Sequence, residues 1–178
     1  MINAQFCLEV WGTSYSKFKE ICQLAERLGY YGFYYGESLA GIDLECWTVI
    51  SNLAALTKKI KLGPVITYLF PAYRNISLLA KQALTMQDVS NKRLEFRAGA
   101  GATLQGSSRW WHPFGIDYPN NFERALLLEE GIRLLLLLWS GAHSTTFEGR
   151  HFRVKDAMLS KKQMQPDVIL PVTIAAKR

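Results

Sequence analysis

Two charged residues interrupt one otherwise apolar run. In Arg93-Leu94-Glu95-Phe96-Arg97-Ala98, Glu95 and Arg97 stand two apart. If the run is extended, that spacing puts both on one face, opposite Leu94, Phe96 and Ala98. With the apolar face against helices, the charged face points inward, where unpaired charges are prohibitive. The expectation is a buried network in which Arg97 is paired by Glu9, by Glu95 or by both; the alternative is a face left wet by an open sheet. Glu37, at the tip of the run Gly32-Phe33-Tyr34-Tyr35-Gly36, is a further carboxylate at the end of an apolar stretch. Cys7, Cys22 and Cys46 are odd in number and lack metal-ligand or redox spacing. They are expected as reduced, mostly buried thiols, with no metal site.

The elements that must position these groups alternate. Ile60 to Tyr68 is a short apolar, β-branched run left through Phe70-Pro71, as a buried strand should be. Asn75 to Val89 starts on a capping residue and repeats apolar positions at three- and four-residue spacing, an amphipathic helix. Arg93 to Ala98 then runs into Gly99-Ala100-Gly101-Ala102. A strand, crossover helix and strand of this size form a parallel βαβ unit. In such sheets ligands bind where strands end, so Thr67 to Tyr73 and Gly99 to Thr103 are the first places to expect function.

The same rhythm precedes it. Ala4 to Trp11 alternates like a strand, and Ser16 to Leu28 carries one helical face with Ser14 or Ser16 as N-cap and Gly29 as the stop. Gly32 to Gly36 is the second strand and Asp43 to Thr57 the second helix. Three β-then-α units argue for a parallel sheet with helices outside. Beyond Gly101, residues 102–120 hold two tryptophans, His112-Pro113 and Tyr118-Pro119, too irregular for a tight turn and expected as a lid or substrate loop. Asn121 to Trp139 is the strongest helix, capped by Asn120 or Asn121. Thr145 to Val154 reads as a small hairpin turning at Glu148-Gly149, and Leu170 to Ala176 as a last strand.

Composition narrows the class. At 178 residues and 49% hydrophobic, the chain can bury one sizeable core and is expected as a single domain over residues 1–178. No apolar stretch reaches the ~20 residues of a membrane span, and no signal peptide opens the chain, which predicts a cytoplasmic protein without membrane partners. The net charge of +6 favours anionic ligands, but Lys and Arg are scattered rather than striped, so nucleic acid is not an expected partner.

Four segments together resemble the luciferase-like monooxygenase superfamily, which spans bacterial luciferase, its alkane-sulfonate relatives and F420-dependent oxidoreductases. They are Ile60-Lys61-Leu62-Gly63-Pro64-Val65-Ile66-Thr67 with Tyr73-Arg74-Asn75; Leu79-Ala80-Lys81-Gln82 through Ser90-Asn91-Lys92-Arg93-Leu94 with Gly99-Ala100-Gly101; Leu138-Trp139-Ser140-Gly141 with Thr146-Phe147-Glu148-Gly149-Arg150-His151-Phe152; and Pro171-Val172-Thr173-Ile174-Ala175-Ala176. The resemblance implies an α/β fold, a truncated (β/α)8 TIM-barrel-like arrangement of about five parallel strands with outer helices, incomplete at the C-terminus. An open edge of that kind predicts poor monomer stability or pairing, hence a homo-oligomer.

By the same resemblance the cofactor is FMN or, alternatively, coenzyme F420, and the substrate a small molecule. The implied cofactor-binding residues are Val65, Ile66 and Thr67 at a bulge that often carries a non-prolyl cis peptide, then Gly99, Ala100, Gly101 and Thr103, whose small size lets backbone amides approach. Ala175, Ala176 and Lys177 fall where relatives hold cofactor phosphate. Where members often place an acid and a histidine, this chain has Glu37-Ser38. Glu37 keeps the acidic role, Ser38 is no general base unaided, and His112 is the remaining proton-transfer candidate. His143 and His151 are read as structural. Trp11, Tyr35, Tyr68, Phe70, Trp110 and Trp111 are expected near the site, able to sandwich an isoalloxazine-type ring and an apolar substrate; Trp47 and Trp139 are expected in ordinary packing. The implied activity is flavin-dependent monooxygenation, with F420-dependent hydride transfer, or a catalytically silent flavin-binding or dimerisation module, as alternatives.

Overall fold

The elements run in the order β1 (Cys7–Glu9), α1 (Tyr15–Arg27), β2 (Gly32–Tyr35), α2 (Cys46–Leu56), β3 (Lys61–Pro64), α3 (Ile76–Val89), β4 (Phe96–Gly99), α4 (Leu104–Ser107), α5 (Asn121–Trp139), β5 (Thr145–Glu148), β6 (Arg153–Ala157) and β7 (Val172–Ala175). Two 3-10 turns, Ser108–Trp110 and His112–Phe114, separate α4 from α5. This is a computed structural model that describes residues 4–159 and 172–175.

β1, β2 and β3 pair in parallel, as do β4 and β7. Two parallel bridges, Leu62 to Leu94 and Thr67 to Ala98, join β3 to β4. Thr67 lies five residues beyond Leu62, but Ala98 only four beyond Leu94. β3 therefore carries one extra residue, a bulge that re-aims its end. The peptide between Val65 and Ile66, inside that bulge, is cis. The result is an α/β fold of parallel strands with helical crossovers; among the described residues the strands do not close into a barrel.

Packing follows the apolar periodicity. Phe33, Leu62, Leu94, Phe96 and Ala98 on the strands are all fully buried, against Cys22 of α1, Ile50 and Leu53 of α2, Leu79 and Ala83 of α3 and Leu135 of α5. Each large side chain so buried contributes about 1.5–3 kcal/mol relative to exposure. Helix starts are fixed by side chains that take orphan amides. Ser14 accepts from Lys17 N at 3.3 Å, Asn75 from Leu78 N at 2.9 Å and Asn120 from Glu123 N at 3.0 Å. The second helix starts later than Asp43, because Glu45 accepts from Trp47 N and Thr48 N and so becomes its cap.

Other boundaries also moved. The first strand is shorter than Ala4 to Trp11: β1 is an edge strand among the described residues, with Phe6 71% and Trp11 52% exposed, so its period-two pattern is not converted into burial. The fourth strand's regular part starts at Phe96 and the hairpin's second strand reaches Ala157, with residues 149–152 as its turn. Cys22 and Cys46 are buried and Cys7 exposed, all three as free thiols.

The charged face of β4 holds a network. Arg97 pairs with Glu95 at 2.9 Å and stacks on the Tyr34 ring, its guanidinium carbon 3.6 Å from the centroid. Glu95 also accepts from the hydroxyls of Tyr31 and Tyr34. Glu9 is exposed and pairs with no cation among the described residues, so of the two expected partners the pair uses Glu95. Burial works to raise the Glu95 carboxyl, yet the two hydroxyls and Arg97 together bring it below its ordinary value.

Candidate functional site at the carboxyl ends of β2, β3 and β4

β2 delivers Glu37, the bulge delivers Thr67, and the two meet. The Glu37 carboxylate, 5% exposed, accepts from Thr67 Oγ1 at 2.7 Å and Tyr68 N at 3.0 Å, and forms an ion pair with Arg74. Burial raises its carboxyl above the ordinary value, against the opposing pull of Arg74, Thr67 and Tyr68. Trp47 Nε1 reaches Thr67 Oγ1 at 3.4 Å, so α2 also braces this corner. Val65 and Ile66 beside it are half-buried.

Thr67 then joins the bulge to the small-residue loop. Its N–H donates to Arg97 O at 2.8 Å and its carbonyl accepts from Gly99 N at 3.3 Å. The two segments expected to hold a ligand, 65–67 and 99–103, are thus neighbouring strand ends. Gly99 is buried, Ala100 half-buried, and Gly101 and Thr103 exposed. Gly101 has φ +83°, and a Cβ there would meet Tyr118 Oη at 2.3 Å and Tyr68 at 2.6 Å, so the turn requires glycine. Ala175 pairs with Gly99 across β4 and β7, which brings β7 to the same end. Ala176 and Lys177 lie outside the described residues.

Residues 102–120, expected as a lid or substrate loop, fold into short helical turns rather than an irregular loop. Their Trp111 is fully buried among Tyr68, Phe70 and Tyr73, with ring centroids 5.1, 5.3 and 4.6 Å away. Tyr118 lies parallel to Trp111 at 6.4 Å. These aromatics pack on one another, edge to face for the most part, rather than standing apart as walls of a slot. Tyr35 belongs to the core against Phe18, at 4.7 Å. Trp47 is buried and Trp139 half-buried with Nε1 on Ala80 O, both in ordinary packing. His112 is exposed on the lid, with no side-chain partner among the described residues. His151 instead lies half-buried by the hairpin, Nδ1 3.5 Å from Glu123.

One residue of this end escaped the sequence reading. Arg124, in the first turn of α5 and 4% exposed, donates through Nε to Ala100 O at 2.6 Å, through Nη2 to Ala102 O at 2.5 Å and Asn121 Oδ1 at 2.9 Å, and through Nη1 to Pro119 O. A signal was present: a cation in a helix's first turn opposes the helix dipole and needs a compensating reason. Tyr31 and Tyr34, which hold Glu95, left no such mark, because tyrosines in and before a strand read as ordinary strand residues.

Parallel strands with helical crossovers and converging loops at their carboxyl ends define an α/β protein of the kind that binds ligands at the strand ends. The family model for luciferase-like monooxygenases matches residues 2–178, and the chain belongs to that family. It is similar to the F420-dependent glucose-6-phosphate dehydrogenase of Kineococcus radiotolerans, 30% identical over 125 residues, which is 70% of this chain and 34% of that enzyme. It is also similar to the pyrimidine monooxygenase RutA of Acinetobacter baylyi, 27% identical over 168 residues, covering 87% of this chain and 43% of the relative. The fold matches the oxygenating constituent of 3,6-diketocamphane monooxygenase from Pseudomonas putida, solved in complex with FMN. That match has a TM-score of 0.74 and 16% identity, and covers 96% of this chain and 51% of the other. The chain therefore spans between a third and a half of these proteins. Among the described residues no helix is long and apolar enough to cross a membrane.

Proposed function

We propose that these strands form the N-terminal part of a (β/α)8-type barrel whose strand ends hold FMN, in a monooxygenase that acts on a small apolar substrate as a homo-oligomer. The observation that carries the reading is the hydrogen-bonded junction of Thr67 with β4, which makes the 65–67 bulge and the 99–103 loop one continuous surface. A flat ring would lie on such a surface with Val65, Ile66 and Thr67 backing it on one side and the backbone of Gly99, Ala100, Gly101 and Thr103 beside it, the small residues 99–101 allowing close approach. Ala175 flanks the same end through its pairing with Gly99.

When bound, reduced FMN supplies the electrons for oxygen chemistry. The chain's own residues do the rest. Glu37 fixes Thr67 and Tyr68 through its two accepted hydrogen bonds, with Arg74 neutralising its buried charge. Trp111, Tyr68 and Phe70 exclude water from the strand ends. His112 stands on the lid as the residue to move a proton at the substrate. F420-dependent hydride transfer is the second reading, favoured by the likeness to the Kineococcus dehydrogenase.

The test is to titrate the chain with FMN and with F420, following fluorescence and sedimentation mass together. Saturable binding of FMN, with an increase in mass, is expected. Saturation by F420 alone would move the chemistry to hydride transfer. Binding of neither would overturn the reading.

A further inference from the structure

Arg124 is a nearly buried cation that pairs with no carboxylate among the described residues. Its guanidinium is spent on Ala100 O, Ala102 O, Pro119 O and Asn121 Oδ1, and its plane lies over the Tyr118 ring, 4.3 Å from the centroid. Tyr118 Oη donates to the same Ala102 carbonyl at 3.1 Å. Two pieces of chain distant in sequence therefore meet on one side chain: the loop after β4, and the junction of the lid with α5.

The consequence for the loop follows from peptide geometry. In a trans peptide the C=O and the next residue's N–H point in opposite directions. With the carbonyls of Ala100 and Ala102 turned onto Arg124, the N–H groups of Gly101 and Thr103 point away from α5. Neither has an acceptor among the described residues. Gly101 leaves no room for the loop to adjust, because Tyr118 and Tyr68 already fill the space a Cβ would take.

We propose that Arg124 is a positioning residue: its fork sets the 99–103 loop and the lid in one fixed arrangement and so aims the loop's free amides at whatever binds the strand ends. The role of those amides rests on the cofactor reading above; the coupling of loop to lid does not. An ammonium cannot reproduce it, since a lysine lacks the planar set of donors that reaches the Ala100, Ala102 and Pro119 carbonyls at once.

The test pairs two readouts on Arg124→Met, Arg124→Lys and Tyr118→Phe. Amide hydrogen exchange is followed at Gly106, Ser107, Trp111, Phe114 and Gly115, whose N–H groups are bonded within the lid. Arg124→Met is expected to speed exchange there about tenfold or more while β1 to β3 stay protected, Arg124→Lys to do nearly the same, and Tyr118→Phe to give a smaller rise in the same segment. FMN or F420 affinity should fall in the same order. Wild-type exchange in Arg124→Lys would overturn the fork, and weaker binding with unchanged lid exchange would make Arg124 a ligand contact instead. Should Arg124→Met unfold, unchanged exchange in Tyr118→Phe overturns the coupling. If the wild-type chain binds neither cofactor, the functional reading fails and the exchange data still decide the coupling.

Discussion

The two ends of the parallel sheet each hold an arginine and a glutamate, and use them differently. At the amino ends Arg93, 6% exposed, donates to Ser90 O, Thr57 Oγ1, Ile60 O, Ala54 O and Thr57 O, all between 2.6 and 3.1 Å. Glu26 of α1 caps three successive amides, Lys58, Lys59 and Ile60, at 2.6 to 3.1 Å. These bonds tie α2, α3 and the turns between them into one plate, with all three nitrogens of the Arg93 guanidinium used. At the carboxyl ends the pairing is looser. Arg74 meets Glu37 but leaves its Nε without a partner, and Trp111 Nε1 is likewise buried without an acceptor. Buried polar groups are normally satisfied; Gln82, Arg97 and His151 carry similar orphans elsewhere, whereas the Arg93 guanidinium carries none.

The largest way to break the contrast is Arg93→Met. It strands several buried carbonyls at once and is expected to cost about 3–5 kcal/mol, as losses of buried charged networks do, read as a fall in the denaturant midpoint. An effect under about 1 kcal/mol would show the amino-end plate to be no stiffer than the site. Gly101→Ala is expected to cost about 1–2 kcal/mol through its left-handed φ and its contact with Tyr118. Its sharper sign is a shifted Trp111 emission, which an unchanged spectrum would contradict.

The two ends should also answer pH with opposite signs. Glu26 is brought below the usual 4.5 by the amides of Lys59, Ile60 and Lys58, which outweigh the opposing effect of burial. Its contribution is present above the unfolded value and lost as pH falls through the folded one. Glu37 is raised from 4.5 chiefly by burial, so its contribution weakens as pH climbs from the unfolded value toward the folded one. Melting temperature against pH should therefore lose part of its acid-side fall in Glu26→Gln, and part of its fall with rising pH in Glu37→Gln. Identical profiles would remove the distinction. Smallest of all, His112→Ala on the exposed lid should change stability by less than about 0.5 kcal/mol. If it serves the reaction, turnover falls while cofactor binding holds; a drop in the melting temperature would place it in the fold instead.

Much of this was legible from local chemistry. The helix from Asn121 to Trp139 keeps its expected bounds, and the third helix begins just inside Asn75, because period and capping residue are properties of neighbouring positions. Glu95 and Arg97 were expected on one face of a strand, since alternation needs only the backbone. The packing of the lid was not legible. Nothing near Trp111 in sequence says that Tyr68 and Phe70 will enclose it.

By itself, then, the sequence determined the alternation of strands and helices, the small-residue turn at Gly99 to Thr103, the crowding of charge on one face of β4 and the family. Each is written in spacings of a few residues. The tertiary structure alone decided which carboxylate Arg97 takes, that Glu37 is met by Arg74 from beyond the bulge, and that Arg124 binds the loop and lid together. The last two join residues 22 to 37 positions apart, and Glu95 is itself held by Tyr31 and Tyr34 from 64 and 61 positions away. The meeting at Glu37 also depends on the one extra residue that β3 carries against β4, which no local pattern encodes.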